Sequence, residues 1–327
     1  MEQSYGKICP ASGRRAGSHC DQGLSPWSPG ESSREDRFSP YCHPTPRTNP
    51  LARSRPCTQH PQSVLLAVAA AVVVLSVPER AIAQHAALSD PGAFQIRRAA
   101  PRATSLPHPT AEHALTAWGV SATDANPFVR SLNGPWRFHW VSDATTAPDN
   151  FHSTAFDDTD WDHIPVPGNW EMNGYGRVRY ADSGIPAGPS PLIDHTQNPT
   201  GSYRRSFDLP ADWAGMGVIL HFGSIGSAMQ LWVNGEDVGY SEGSKVPTEF
   251  DITDYLQPGR NLIAARVWRW SDGSYLEDVD FLRMSGIDRD VTLRALAPVH
   301  VADVFARAGL SEGLSAGELD ITVDLAN

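Results

Sequence analysis

From Ser131 onward no stretch of the chain shows a helical period, and this constrains its fold more than any other feature. Short runs rich in Val, Ile, Trp, Phe and Tyr alternate with clusters of Gly, Pro, Asp and Asn. β-Branched and aromatic side chains suit a pleated, half-buried surface, and the intervening residues supply turns. The runs predict strands over 136–140, 203–208, 217–222, 229–233, 237–240, 262–268 and 291–296. In "LWVNGEDVGY" (231–240), Asn234-Gly235 sits between two strand-like pieces and tolerates the positive φ of a tight hairpin. Many short strands joined by turns imply an all-β sandwich or jelly roll. Two more strands are expected over 300–307 and 318–325, the second still alternating as the sequence stops at Asn327. A domain ending in mid-strand has an open edge, so the sequence reads as truncated.

The first 83 residues differ from the rest. They carry 9 Lys/Arg against 6 Asp/Glu, whereas the remainder carries 17 against 31, giving +3 and −14 for the total of −11. So acidic a body has no basic stripe with which to displace the counterions of a nucleic acid, so no nucleic-acid partner is expected. All four cysteines precede residue 60, leaving the body without a disulfide framework or a cysteine zinc site. The apolar run 64–77 is shorter than the ~20 residues of a spanning helix. Arg53 and Arg55 precede it and Ala81-Ile82-Ala83 follows, so 63–83 reads as a signal peptide and the product as exported, periplasmic or extracellular. No stable membrane span is expected after cleavage, and an uncleaved anchor is the alternative. Residues 1–62, rich in Pro, Ser and Arg, read as a disordered or mis-started extension. Residues 84–117 read as a flexible lead-in without regular structure, broken by Pro101, Pro107 and Pro109.

The run "RWSDGSYLEDVDFLRMSGIDRDV" (269–291) interleaves six carboxylates with Trp270, Tyr275 and Phe281. By composition it fits a sugar site, a metal site or an ordinary inter-strand loop. Asp272, in Trp-Ser-Asp-Gly-Ser, has turn composition and reads as structural. Glu277 and Asp278 read as ion-pair partners for Arg269 or Arg283. Trp170, Trp232, Trp268 and Trp270 sit at strand spacing and read as core rather than sugar platforms. The histidines show no metal-ligand spacing.

Five stretches, taken together and in order, resemble the N-terminal part of a glycoside hydrolase family 2 β-galactosidase of the large bacterial type. They are "SLNGPWRFHW" (131–140), "VPGNWEMNGYG" (166–176), "NPTGSYRRSF" (198–207), "LWVNGEDVGYSEGSKVPTEFDIT" (231–253) and the 269–291 run. The resemblance implies a jelly-roll, galactose-binding-like β-sandwich over 118–297, followed by the start of an immunoglobulin-like β-sandwich over 298–327. It also implies a TIM barrel carrying the catalytic glutamates, one of them in a Gly-Asn-Glu-Ser run that this sequence lacks. A retaining glycosidase needs two carboxyl groups about 5–5.5 Å apart. The chain alone is therefore expected to be inactive. Its part would be one wall of the sugar pocket.

By resemblance, Asp280 matches an aspartate that contacts galactosyl hydroxyls and a sodium ion. A carboxylate suits both, accepting hydrogen bonds from vicinal hydroxyls and offering hard oxygens to a hard cation. Asp182 stands where the family has an asparagine that hydrogen-bonds substrate; an ionised aspartate cannot donate, so selectivity there departs from the family pattern. The expected partner is a β-galactoside. Sodium and magnesium are the expected cofactors of the full-length enzyme, which the family assembles as a homo-oligomer. The alternatives are a free-standing carbohydrate-binding or complementing module, or the product of a broken gene.

Overall fold

The computed structural model describes residues 86–117, 126–180, 189–277 and 280–327. The expected signal peptide at 63–83, Asp182 and Asp278 lie outside the described residues.

The described residues are almost entirely β. In chain order the strands are β1 (Gln95–Ile96), β2 (Val129–Ser131), β3 (Gly134–Val141), β4 (Asp162–Val166), β5 (Gly168–Asn169) and β6 (Arg179–Tyr180). Then come β7 (Thr200–Asp208), β8 (Gly217–Phe222), β9 (Ala228–Val233), β10 (Glu236–Glu242), β11 (Thr248–Asp251) and β12 (Arg260–Trp268). The last are β13 (Leu282–Arg283), β14 (Gly286–Ile287), β15 (Val291–Leu296), β16 (His300–Leu310) and β17 (Gly317–Ala326). The α-helices are short: α1 (Ala111–Thr116) and α2 (Gly273–Leu276). Every predicted strand is present, usually a few residues longer. The sequence reading missed β1, β2, β4 and β11 of the two sheets and the two-residue strands β5, β6, β13 and β14, which are short or interrupted by charged and proline residues.

Two antiparallel sheets face each other as a β-sandwich. One has seven strands in the order β1-β10-β9-β12-β7-β3-β4, the other four in the order β11-β8-β15-β2. Alternate residues of each strand face inward. Trp136 and Phe138 of β3, Tyr203 of β7 and Leu231 of β9 meet Leu220 and Phe222 of β8, Phe250 of β11 and Leu293 of β15 in one continuous core. Burying each large aromatic among these contributes roughly 2–3 kcal/mol. The β9–β10 hairpin turns at Asn234 and Gly235, with φ of 52° and 90°. This is the double positive-φ turn that Asn-Gly predicts.

Both faces of the central strands are buried, so β9 and β12 carry consecutive apolar residues, as at 231–233 and 262–265, rather than a strict alternation. Two segments cover the outer face of the seven-stranded sheet. Phe151 packs on Trp232 and Ala264, joined by Phe156 and Trp161. Ala87 and Leu88 pack on Ala228, Tyr240 and Trp268. Leu88 is fully buried and β1 adds to the edge of β10. This corrects the expectation of a lead-in without regular structure. The prolines prevent long elements there, but a short edge strand and a single buried side chain suffice to dock the segment. The last two strands pair as a hairpin whose side chains are mostly exposed. No helix among the described residues is long and apolar enough to cross a membrane.

Candidate functional site

The acidic-aromatic run leaves β12 and returns to the sandwich at β15, and two small ribbons hold it. In one, β13 pairs with β6, placing Leu282 opposite Tyr180 and Arg283 opposite Arg179. In the other, β14 pairs with β5, placing Gly286 opposite Asn169. The second ribbon needs a glycine. Gly286 has a φ of 116°, and a Cβ there would lie 2.9 Å from the Gly168 carbonyl oxygen and 3.0 Å from the Tyr203 hydroxyl.

Beneath the run lies a buried polar anchor. Arg269 is buried, donates from Nη1 to the Arg177 carbonyl at 2.9 Å and from Nη2 to the Arg283 carbonyl at 3.1 Å, and pairs with Glu171 at 3.3 Å. Glu171 also accepts from the Ser285 amide at 2.8 Å. Burial pushes the Glu171 carboxyl above its ordinary range, against the opposing pull of these hydrogen bonds and of Arg269. Arg269 and Arg283 stack on Trp270 at 5.2 and 5.7 Å, and Arg283 also lies 5.3 Å from the Phe281 ring. Arg283 donates to the carbonyls of Ser274 and Glu277 at 3.2 and 2.7 Å. Asn198 exchanges two hydrogen bonds with the Trp270 backbone, at 2.8 and 2.9 Å.

This anchor corrects one expectation. Arg269 pairs with Glu171, distant in sequence, and not with Glu277. The Glu277 carboxylate instead accepts from the Ser244 amide at 2.6 Å. The tryptophan reading holds: Trp170, Trp232, Trp268 and Trp270 are all buried, so none offers a face to a ligand.

Asp280 sits at the exposed end of this rigid base. The Tyr180 hydroxyl donates to Asp280 Oδ1, joining the two neighbouring ribbon strands at their exposed tips. Tyr180 escaped the sequence reading, although it stands two positions before Asp182 in "RYADSG". Exposed Val178, Tyr180 and Leu282 make the surroundings of Asp280 partly apolar.

A second carboxylate group lies deeper. Glu242 ends β10 and faces Asp272; both are nearly inaccessible. The Tyr240 hydroxyl donates to Glu242, and the Gly273 amide donates to its second oxygen at 3.3 Å. One Asp272 carboxylate oxygen has no hydrogen-bond partner. Burial, with the neighbouring Asp272 charge, raises the Glu242 carboxyl to about 8. Turn composition alone reads Asp272 as structural. Its backbone does turn, but the side chain is buried against a second acid, which turn composition could not indicate. Among the described residues no group of three or more His, Cys, Asp or Glu side chains gathers as a metal cluster.

Residues 129–297 match the sugar binding domain of glycosyl hydrolases family 2. The chain is 39% identical over 244 residues to a β-galactosidase of Priestia megaterium, covering 73% of this chain and 23% of that protein. It is 39% identical over 257 residues to a β-galactosidase of Pectobacterium atrosepticum, covering 76% and 24%. The β-galactosidase large subunit of Leuconostoc lactis is 37% identical over 212 residues, covering 60% and 34%. The chain thus spans about a quarter of the length of the first two relatives. Among solved structures, a β-glucuronidase of Ruminococcus gnavus superposes with a TM-score of 0.46 at 19% identity, over 63% of this chain and 36% of that one.

Proposed function

The chain belongs to glycosyl hydrolases family 2 through its sugar binding domain, and from that premise we propose that it is the sugar-binding N-terminal part of a β-galactosidase. The observation that carries the proposal is the Tyr180–Asp280 pair, presented at the exposed end of a buried, hydrogen-bonded anchor. Tyr180 engages one oxygen of Asp280 and fixes its orientation, leaving the other for a sugar hydroxyl or a sodium ion. By the same resemblance Asp182 would also bind the substrate, accepting as a carboxylate where the family asparagine also donates.

On this reading the wall binds and orients a terminal β-galactosyl residue, while the acid/base and nucleophile of a retaining hydrolysis come from sequence outside this chain. The sandwich would be of jelly-roll type. The exposed β16–β17 hairpin would open an immunoglobulin-like domain, and the exported full-length enzyme would be a homo-oligomer. The Glu242–Asp272 pair does not fit the magnesium expected of that enzyme, because its two acids hydrogen-bond each other and Tyr240 and no further acidic or histidine ligand joins them among the described residues.

Ligand-observed NMR on the 327-residue chain tests the proposal. Methyl β-galactoside should give saturable transfer signals stronger than those of methyl β-glucoside, and Asp280→Ala should abolish them. A nitrophenyl galactoside should not be hydrolysed. Measurable turnover, absent binding, or binding indifferent to Asp280→Ala would each overturn the reading.

A further inference from the structure

A cavity of about 400 Å³ lies on the far side of the four-stranded sheet from the core, between the outward-facing side chains of β8, β11 and β15 and the segment 98–104. The segment runs along β11, the edge strand, where the Ala99 amide donates to the Glu249 carbonyl at 2.8 Å. Three guanidinium groups, Arg98, Arg102 and Arg294, line the cavity together with His221 and Glu249.

Glu249 is saturated. It accepts from Arg102 Nε at 2.8 Å, Arg294 Nη1 at 2.8 Å and His221 Nδ1 at 2.9 Å. One carboxylate thus faces three permanent cations, a surplus of two positive charges within a chain of net charge −11. A structural ion pair needs no such surplus, and uncompensated buried charge is costly. The Nε of Arg294 is buried without a partner, in a residue only 7% exposed. Arg98 is tethered through one nitrogen, Nη1, to Ser241 Oγ and the Glu242 carbonyl, both at 3.1 Å. The nearby acid Asp303 accepts from the amides of Ala103 and Val304 at 2.7 and 2.8 Å and does not line the cavity.

We propose that this cavity is a binding site for a small oxyanion, a phosphate, sulfate or carboxylate group, free or carried on a sugar. Guanidinium groups match the planar and tetrahedral faces of such ions with paired N–H donors. The cavity volume exceeds that of a bare ion, leaving room for a sugar-sized body behind the charge.

Isothermal titration of the full chain at low ionic strength tests the proposal, with inorganic phosphate, sulfate and glucuronate as titrants and glucose as the neutral control. One equivalent of at least one anion should bind, and glucose should not. Preference for phosphate or sulfate assigns the site to a free ion, and preference for glucuronate assigns it to an acidic sugar. Arg98→Gln, at the partly exposed rim, should weaken binding at least tenfold. Glu249→Gln adds one charge to the surplus and should tighten it; if that variant fails to fold, Arg98→Gln decides. No saturable anion binding, or binding unchanged by Arg98→Gln, would overturn the proposal.

Discussion

Two buried glutamates respond to pH in opposite directions. Burial pushes the Glu249 carboxyl upward, but the hydrogen bonds from His221 and Arg102 and the charges of Arg102 and Arg294 outweigh it and hold the group at about 2, below its ordinary 4.5. A depressed carboxyl adds stability that is present above the unfolded value and is lost as pH falls through the folded one. Glu249→Gln should therefore flatten the stability profile between about pH 4.5 and 2, as followed by urea unfolding. Burial raises Glu242 to about 8, with Asp272 adding to the rise and the Tyr240 hydrogen bond opposing it. Its folded state favours the protonated form, so stability is greatest below the unfolded value and declines as pH climbs from 4.5 toward 8. Glu242→Gln should remove that decline.

Single contacts decide where several elements sit. Leu88 is fully buried against Tyr240 and Trp268 and ties the segment before β1 to the seven-stranded sheet. Leu88→Ala should cost about 2–4 kcal/mol. It should also expose the segment before β1 to limited proteolysis, read by mass spectrometry of the first cleavage products. The β14–β5 ribbon depends on Gly286. Gly286→Ala places a methyl against backbone in a left-handed conformation and should destabilise by about 2 kcal/mol or more, measured as a fall in the urea midpoint. The ribbon is the C-terminal fastening of the run that carries Asp280, so galactoside binding should weaken with it. The anchor itself was hidden from the sequence: Arg269 and Glu171 lie in different motifs, and only the pairing of β14 with β5 brings their loops together.

Among the described residues, the C-terminal hairpin leaves a large apolar surface uncovered. On β17, Leu319, Ile321, Val323 and Leu325 share a face, and Val301 stands opposite Leu325 on β16; all five are exposed. Contiguous apolar surface of this kind promotes association in water. Ile321→Lys should shift the isolated chain toward monomer in sedimentation velocity. The even positions of the same strand, Glu318, Asp320, Thr322 and Asp324, are polar, so β17 was legible as a strand from alternation alone.

Alternation and turn chemistry by themselves determined the all-β class, seven strands of the sandwich, the Asn234-Gly235 turn and the burial of four tryptophans, because these depend on period and local φ preference. The long, ordered motifs also carried the family resemblance. Tertiary structure alone decided the Arg269–Glu171 anchor, the Tyr180–Asp280 contact, the burial of Glu242 against Asp272 and the arginine-lined cavity around Glu249. Each brings together residues from separate elements, and the energy of a charged side chain depends on which neighbours replace its water.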